Sequence, residues 1–151
     1  GAKMVDGKSV GCNIKLAFEQ KPNEYLDHWV TMDYFFTRKT MLIKYSYAFI
    51  VMPGGYGTMD EFFESLTLIQ TGKVLDFPII LFGRKYHEDL ILYIDNLVQQ
   101  GAINPEDREM ILITDEVSEI IEYIKNNLTI KSILAKYNSP HAIKWLFEKQ
   151  I

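Results

Sequence analysis

Hydrophobic and polar positions fall into blocks along the chain, and the blocks predict strands alternating with helices. The apolar run Ala48-Phe49-Ile50-Val51-Met52 has the length and composition of a buried strand. Apolar residues then recur at Met59, Phe62, Phe63, Leu66 and Ile69, a helical spacing that Gly72 should end from the position just beyond the C-cap. Pro78-Ile79-Ile80-Leu81-Phe82 repeats the strand signal. Leu90, Ile91, Tyr93, Ile94, Leu97 and Val98 place an amphipathic helix over residues 86–100, closed by Gly101. Pro105-Glu106-Asp107 opens a further helical turn, with proline near the first helical position. Met110-Ile111-Leu112-Ile113 is the last strand, and Val117, Ile120, Ile121, Ile124 and Leu128 line a final helix that Asp115 could cap.

Upstream of residue 48 the signals are shorter. Residues 1–8 read as the end of a helix and a turn, Ser9 to Leu16 as a strand, and Trp29-Val30-Thr31 as a short strand. Between them, Glu19 to Glu24 is a polar connector with Pro22 as its turn signal. Phe35 to Tyr45 reads as a helix, with Phe35, Met41, Leu42 and Tyr45 roughly on one face and Arg38, Lys39 and Lys44 basic. Strand and helix alternate from residue 9 to residue 128, the pattern of a parallel α/β sheet with right-handed crossovers. The helix between residues 48–52 and 78–82 is too long for a hairpin, so these two strands should pair in parallel, with 48–52 central. Residues 1–128 thus form one α/β domain. Residues 129–151 form a helical tail, with Ile133, Leu134 and Tyr137 on one face, Ile143, Leu146 and Phe147 on another, and Pro140 between. That tail is either a docking element for a partner chain or a cover for the core.

Composition narrows the class. The 151 residues are 48% hydrophobic and 24% charged, as in a soluble globular domain with a sizeable core. A net charge of −4 argues against a nucleic-acid surface, which needs a basic face. Cys12 is the lone cysteine, so no disulfide closes within the chain, which fits a reducing, cytoplasmic setting. His28, His87 and His141 have no metal-ligand spacing, and no metal is expected. No apolar run approaches the roughly 18 residues that would suggest a membrane span, and the N-terminus has no signal-peptide pattern.

The stretch with chemistry in it is Met52-Pro53-Gly54-Gly55-Tyr56-Gly57-Thr58-Met59-Asp60-Glu61. Three glycines lie between a strand and a helix, where backbone N–H groups and the positive end of the helix dipole can hold a phosphate. The plainer alternative is a tight turn, with Thr58 and Glu61 as a capping box. Three glycines exceed what a turn requires, whereas on spacing alone Glu61 reads first as a capping residue. The pattern is neither the Walker loop nor the dinucleotide fingerprint. Arg38 and Lys39, taken alone, read as a solvated helix face. Asp60 and Glu64 read as solvated too, and His87 as a surface residue at a helix start. Tyr56, inside the loop, could shape a pocket.

Pro53-Gly54-Gly55-Tyr56-Gly57-Thr58-Met59-Asp60-Glu61 resembles the PGGxGTxxE signature of the LONELY GUY (LOG) family, cytokinin riboside 5′-monophosphate phosphoribohydrolases once labelled possible lysine decarboxylases. Arg38-Lys39, Phe62-Phe63-Glu64, Gln70 and Phe77-Pro78-Ile79-Ile80-Leu81 resemble the family's flanking text. The likeness runs from about Gly1 to about Leu128 and implies a Rossmann-like three-layer fold around a parallel sheet. In the family a glycine-rich nucleotide-binding strand and a further βα unit come before this point. Both are missing from this sequence, which predicts an N-terminally truncated domain. Ala17 stands where the family would have proline.

The resemblance also implies a reaction: hydrolysis of a nucleoside 5′-monophosphate, AMP or a cytokinin riboside monophosphate, to free base and ribose 5-phosphate. Such a step needs negative charge and activated water at an oxocarbenium-like ribosyl centre, a cation for the departing base, and a grip on the phosphate. It implies Arg38 and Glu61 as catalytic residues, and Lys39, Pro53, Gly54, Gly55, Gly57 and Thr58 at the phosphate and nucleotide. No cofactor is implied, and a homodimer is, with the helices carrying Arg38 and Glu61 at its interface. Open α/β sheets bind ligands beyond the carboxyl ends of their strands, where Arg38 and Glu61 could converge. The alternative is a non-catalytic nucleotide- or phospholigand-binding protein, like the molybdenum-cofactor carriers. Lysine decarboxylation rests on the old label alone, since that chemistry normally runs on pyridoxal phosphate held by a lysine.

Overall fold

The computed structural model describes residues 1–17, 21–75 and 77–128. The connector expected over residues 19–24 lies partly outside these, and the expected tail over residues 129–151 wholly so. The chain divides into two compact units, Gly1–Ser46 and the remainder from Tyr47.

In the first unit a 3-10 turn (Ala2–Val5) precedes two strands, β1 (Val10–Ile14) and β2 (His28–Met32), and a helix, α1 (Phe35–Tyr45). The strands run parallel, Val10 opposite His28 through to Ile14 opposite Met32. Their starts are tied at Asp27, whose carboxylate accepts from the Ser9 N–H at 2.7 Å and pairs with Lys3. The hydrogen bond from Lys3, then the one from the Ser9 backbone, hold that carboxyl below its usual range. Ile14 is buried, but α1 buries no residue, and Tyr34, Phe35, Phe36 and Tyr45 are exposed.

The second unit follows the order β3 (Phe49–Val51), α2 (Tyr56–Gln70), β4 (Ile79–Phe82), α3 (Glu88–Gln99), α4 (Pro105–Glu109), β5 (Ile111–Thr114) and α5 (Val117–Asn127). Its strands lie side by side as β3-β4-β5, all parallel, with Phe49 opposite Ile79 and Ile79 opposite Ile111. Parallel sheets flanked by helices are the Rossmann-like α/β architecture expected from the alternating pattern.

The place of the 48–52 segment differs from expectation. Within this sheet β4 is central and β3 is an outer strand. Ile79, Ile80 and Leu81 of β4 are fully buried, whereas Ile50 of β3 is 47% exposed. A strand flanked on both sides and covered on both faces needs consecutive apolar residues; an outer strand does not. The core gathers Val51, Phe62, Phe77, Ile79, Leu81 and Ile94, with Met59, Leu66 and Ile69 packed on it. Phe49 meets Phe77 edge-on, ring centroids 4.9 Å apart. The expected α2 stripe therefore holds except at Phe63, which is exposed.

Helix ends follow local chemistry. Gly72 has φ +67° and closes α2 as a Schellman motif: its N–H bonds Ile69 O at 2.9 Å, and the Lys73 N–H bonds Leu68 O at 2.8 Å. The capping box in this unit belongs to α4, where Asn104 caps, Pro105 follows and Asp107 reaches back to the Asn104 N–H at 2.9 Å. Gln70 Nε2 donates to Asp107 at 2.7 Å, tying the end of α2 to this box. Asp115 does not cap α5; its carboxylate accepts from the Arg84 N–H at 2.9 Å, and Glu116 takes the N-cap position. Thr114 Oγ1 receives the Glu116 N–H and donates to Glu119, so the turn into α5 is already held. No described helix is long and apolar enough to cross a membrane.

Truncating a fully buried α2 anchor should cost far more than truncating its exposed neighbour. Phe62→Ala is expected to destabilise the fold by about 3–5 kcal/mol, the usual loss for a core phenylalanine. Phe63→Ala should cost much less. Urea unfolding of the two variants beside wild type checks this, with an unchanged m value confirming that stability alone moved.

Candidate functional site

The site is built where β3 hands the chain to α2. Val51 is anchored in the core, and Met52 and Pro53 carry the backbone out to Gly54. Gly55 is the N-cap, with φ −94° and ψ −151°, and its carbonyl accepts the first helical bond from the Met59 N–H at 3.1 Å. The helix therefore begins at Tyr56. Thr58 lies inside its first turn and Glu61 in its second, so the Thr58–Glu61 capping box read from spacing does not form. The glycine pair lets the chain turn into the helix before it reaches Thr58. With that, capping ceases to account for Glu61.

No side chain caps α2, and its first turn contains no acidic residue. The N–H groups of that turn are the ones an α-helix leaves without intrahelical acceptors, and the dipole adds about half a positive charge there. The contrast within the same unit is α3, which carries Glu88 and Asp89 in its first turn. An anion is favoured at the start of α2 and disfavoured at the start of α3.

The three glycines do different work. A Cβ on Gly54 would overlap the Thr58 side chain, standing 2.8 Å from Thr58 Cβ, so glycine there lets the first helical turn close over the loop. A Cβ on Gly55 or Gly57 would meet nothing within 4 Å. These two leave backbone bare on the exposed side, where a ligand can reach the N–H groups. Tyr56, between them, is 98% exposed, and Pro53 is exposed as well.

Pro53, Gly54, Gly55, Gly57, Thr58 and Glu61 thus share one loop-and-helix start in the second unit. Glu61 is half-buried, its backbone carbonyl accepting the Ser65 hydroxyl at 2.6 Å. Arg38 and Lys39 lie half-buried on α1 of the first unit, and Arg38 Nε donates to the Cys12 carbonyl of β1 at 3.1 Å. That bond ties the guanidinium to the strand beside it, so Arg38 is not a side chain of a freely solvated helix face.

His87 is a correction. Expected at the surface, it is 2% exposed and forms the N-cap position of α3, and its Nε2 has no hydrogen-bond partner among the described residues. Burial lowers its pKa, with a backbone hydrogen bond at Phe82 acting the other way. Its helix-start position was legible; its burial depended on the loop after β4 folding inward. Among the described residues no group of three or more His, Cys, Asp or Glu side chains could hold a metal ion.

Two predictions follow from this geometry. Gly54→Ala should destabilise the fold by about 1–3 kcal/mol through overpacking. Gly55→Ala and Gly57→Ala should leave the unfolding midpoint near wild type yet weaken binding of inorganic phosphate, as read by calorimetry. For His87 the folded pKa lies below the unfolded value of about 6.5. Above that pH the ring is neutral in both states and its contribution is fully present. As pH falls, the unfolded chain takes the proton first, and stability drops by up to about 1.4 kcal/mol per pH unit until the folded ring titrates. Urea midpoints at pH 7.5 and 5.5 should show this slope, and His87→Phe should flatten it.

Comparison with known proteins gives the family. The family model described as "Possible lysine decarboxylase" matches residues 1–124. The cytokinin riboside 5′-monophosphate phosphoribohydrolase LOG3 of Arabidopsis thaliana is 37% identical over 89 residues, 58% of this chain and 41% of the relative. LOG1 of the same plant is 36% identical over 59% of this chain and 42% of its own length. The enzyme of that name from Rhodococcoides fascians is 32% identical over 59% of this chain and 45% of its own. The matched stretch spans less than half the length of each of these curated relatives. With its glycine loop opening an uncapped helix and a family match over most of its length, the chain belongs to the LOG, or "possible lysine decarboxylase", family.

Proposed function

We propose that this chain is part of an enzyme that hydrolyses the N-glycosidic bond of a nucleoside 5′-monophosphate, releasing free base and ribose 5-phosphate. The observation that carries the reading is the uncapped, glycine-lined start of α2 with Glu61 in the next turn of the same helix. One helix then offers an anion site and a carboxylate, matching the two ends of a phosphoribosyl group. The relatives' names supply the substrate class, a cytokinin riboside monophosphate, and AMP is the simplest member of the same chemistry.

In this reading Gly54, Gly55, Gly57 and Thr58 take the phosphate through backbone N–H groups, with Pro53 shaping the approach and Lys39 adding positive charge near the nucleotide. Binding energy at that remote end aligns the reacting bond. As the C1′–N bond lengthens, positive charge grows on the ribose and negative charge on the base. Glu61 stabilises the first and activates water by taking its proton; Arg38 stabilises the second. The scheme needs no metal or redox group. We also propose a homodimer: Tyr34, Phe35, Phe36 and Tyr45, on and flanking α1, are exposed apolar surface of the kind a second copy would cover.

Glutamine keeps the size and hydrogen-bonding reach of Glu61 but cannot carry its charge. Glu61→Gln should leave the melting temperature within a few degrees and phosphate binding largely intact, while base release from AMP or an N6-substituted analogue falls by at least about 100-fold. Arg38→Ala should also abolish release with the fold retained. Chromatography of the full-length protein incubated with nucleoside monophosphates reads both. Turnover near wild type in Glu61→Gln removes that residue from the mechanism. Wild-type protein that binds AMP and cleaves no nucleotide tested is a phospholigand-binding protein instead.

A further inference from the structure

The loop after β4, which no catalytic role has absorbed, touches the glycine loop directly. The Tyr86 hydroxyl donates to the Gly54 carbonyl at 2.9 Å. Three residues earlier, Gly83 lies against Pro53: a Cβ added to it would stand 3.5 Å from the proline Cγ. Thus both Pro53 and Gly54 lean on one short segment, residues 83–87.

That segment is anchored. The Gly83 N–H bonds Thr114 O of β5 at 3.1 Å, and the Arg84 N–H bonds the Asp115 carboxylate at 2.9 Å. The His87 N–H returns to Gly83 O at 3.2 Å, closing the turn, and Gly83 itself adopts φ +99°. The His87 ring is buried and meets the Tyr86 ring edge-on at 5.0 Å. Buried histidine, β5 and Asp115 fix the loop, so the phenol is presented from a rigid base.

A trans peptide is planar, with its carbonyl and the next N–H on opposite sides. Holding the Gly54 carbonyl on Tyr86 therefore sends the Gly55 N–H the other way. Between two glycines this peptide could rotate more readily than most. In the rotated state a carbonyl dipole would replace an N–H dipole at the start of α2 and repel an anion.

We propose that Tyr86 is a positioning residue for the anion site: its hydroxyl holds the Gly54–Gly55 peptide in the one orientation that turns the Gly55 N–H toward bound phosphate. This rests on reading the glycine loop as a phosphate site, and it adds a residue outside the glycine motif on which that site depends. Tyr86 does not touch the reacting atoms and takes no proton. Its hydroxyl is the feature that matters, since the ring is 58% exposed and phenylalanine can occupy the same space.

The test compares full-length wild type and Tyr86→Phe with inorganic phosphate, AMP and adenosine as probes. Losing one hydrogen bond of ordinary strength should weaken phosphate and AMP binding by roughly five- to tenfold. Adenosine binding and the melting temperature should stay near wild type, which a merely structural role would not predict. A second measurement uses wild type alone: in an amide-proton NMR titration with phosphate, the Gly55 N–H should be among the most shifted signals. Phosphate affinity in Tyr86→Phe equal to wild type, or a Gly55 signal that does not move while phosphate binds, overturns the positioning role and leaves the site reading standing. Wild type that binds no phosphate defeats both. The titration needs no variant, so a misfolded Tyr86→Phe does not protect the proposal.

Discussion

The full burial of Ile79, Ile80 and Leu81 in β4 is the constraint on which the second unit depends. Ile79, Ile80 and Leu81 lose all contact with solvent, and β3 and β5 hold the strand from both sides. Each fully buried large apolar side chain contributes about 1.5–3 kcal/mol, and backbone groups buried with it must find partners in the ladder. Parallel pairing on both edges meets that demand. It also sets where the neighbouring strands end, because their registers are locked to residues 79–82. The loops that follow β3 and β4 then leave the sheet at the same end, as in α/β folds whose ligands sit beyond the carboxyl ends of the strands.

Within this unit the protein leaves one helix start open and closes others. α4 begins with a side-chain capping box, and α3 and α5 carry acidic residues in their first turns. α2 has neither. This costs some helix stability, since a good N-cap is worth about 1 kcal/mol, and it keeps the positive end of α2 available to an outside anion. Gly54 lets Thr58 pack over the loop, while Gly55 and Gly57 leave the approach bare. Helix termination and packing are thus decided by the same few residues that the proposed anion site would use.

Beneath the glycine loop the support is polar and partly buried. His87 is enclosed without a hydrogen-bond partner at Nε2 among the described residues, and its burial lowers its pKa. The turn it belongs to is pinned by Thr114 and Asp115 at the end of β5. The end of β5 therefore steadies the loop after β4, and that loop in turn supports the loop after β3 through Tyr86.

The sequence by itself determined the order of elements, because hydrophobic spacing is a local property that survives without knowledge of partners. α1 falls on the residues its pattern marked, Gly72 ends α2, and Pro105 starts α4. The glycine motif was legible for the same reason: three glycines between a strand and a helix can be read directly along the chain. Other features were decided only by tertiary structure, because each depends on groups far away in the chain. The central position in the three-stranded sheet went to β4 and not β3, since apolar runs do not reveal which strand receives a neighbour on both sides. Asp115 turned to the Arg84 backbone in place of the helix beside it, His87 went inward, and Glu61 was relieved of the capping role once α2 began at Tyr56. In each case a polar group had several local options of similar energy, and the partner brought by the fold selected among them.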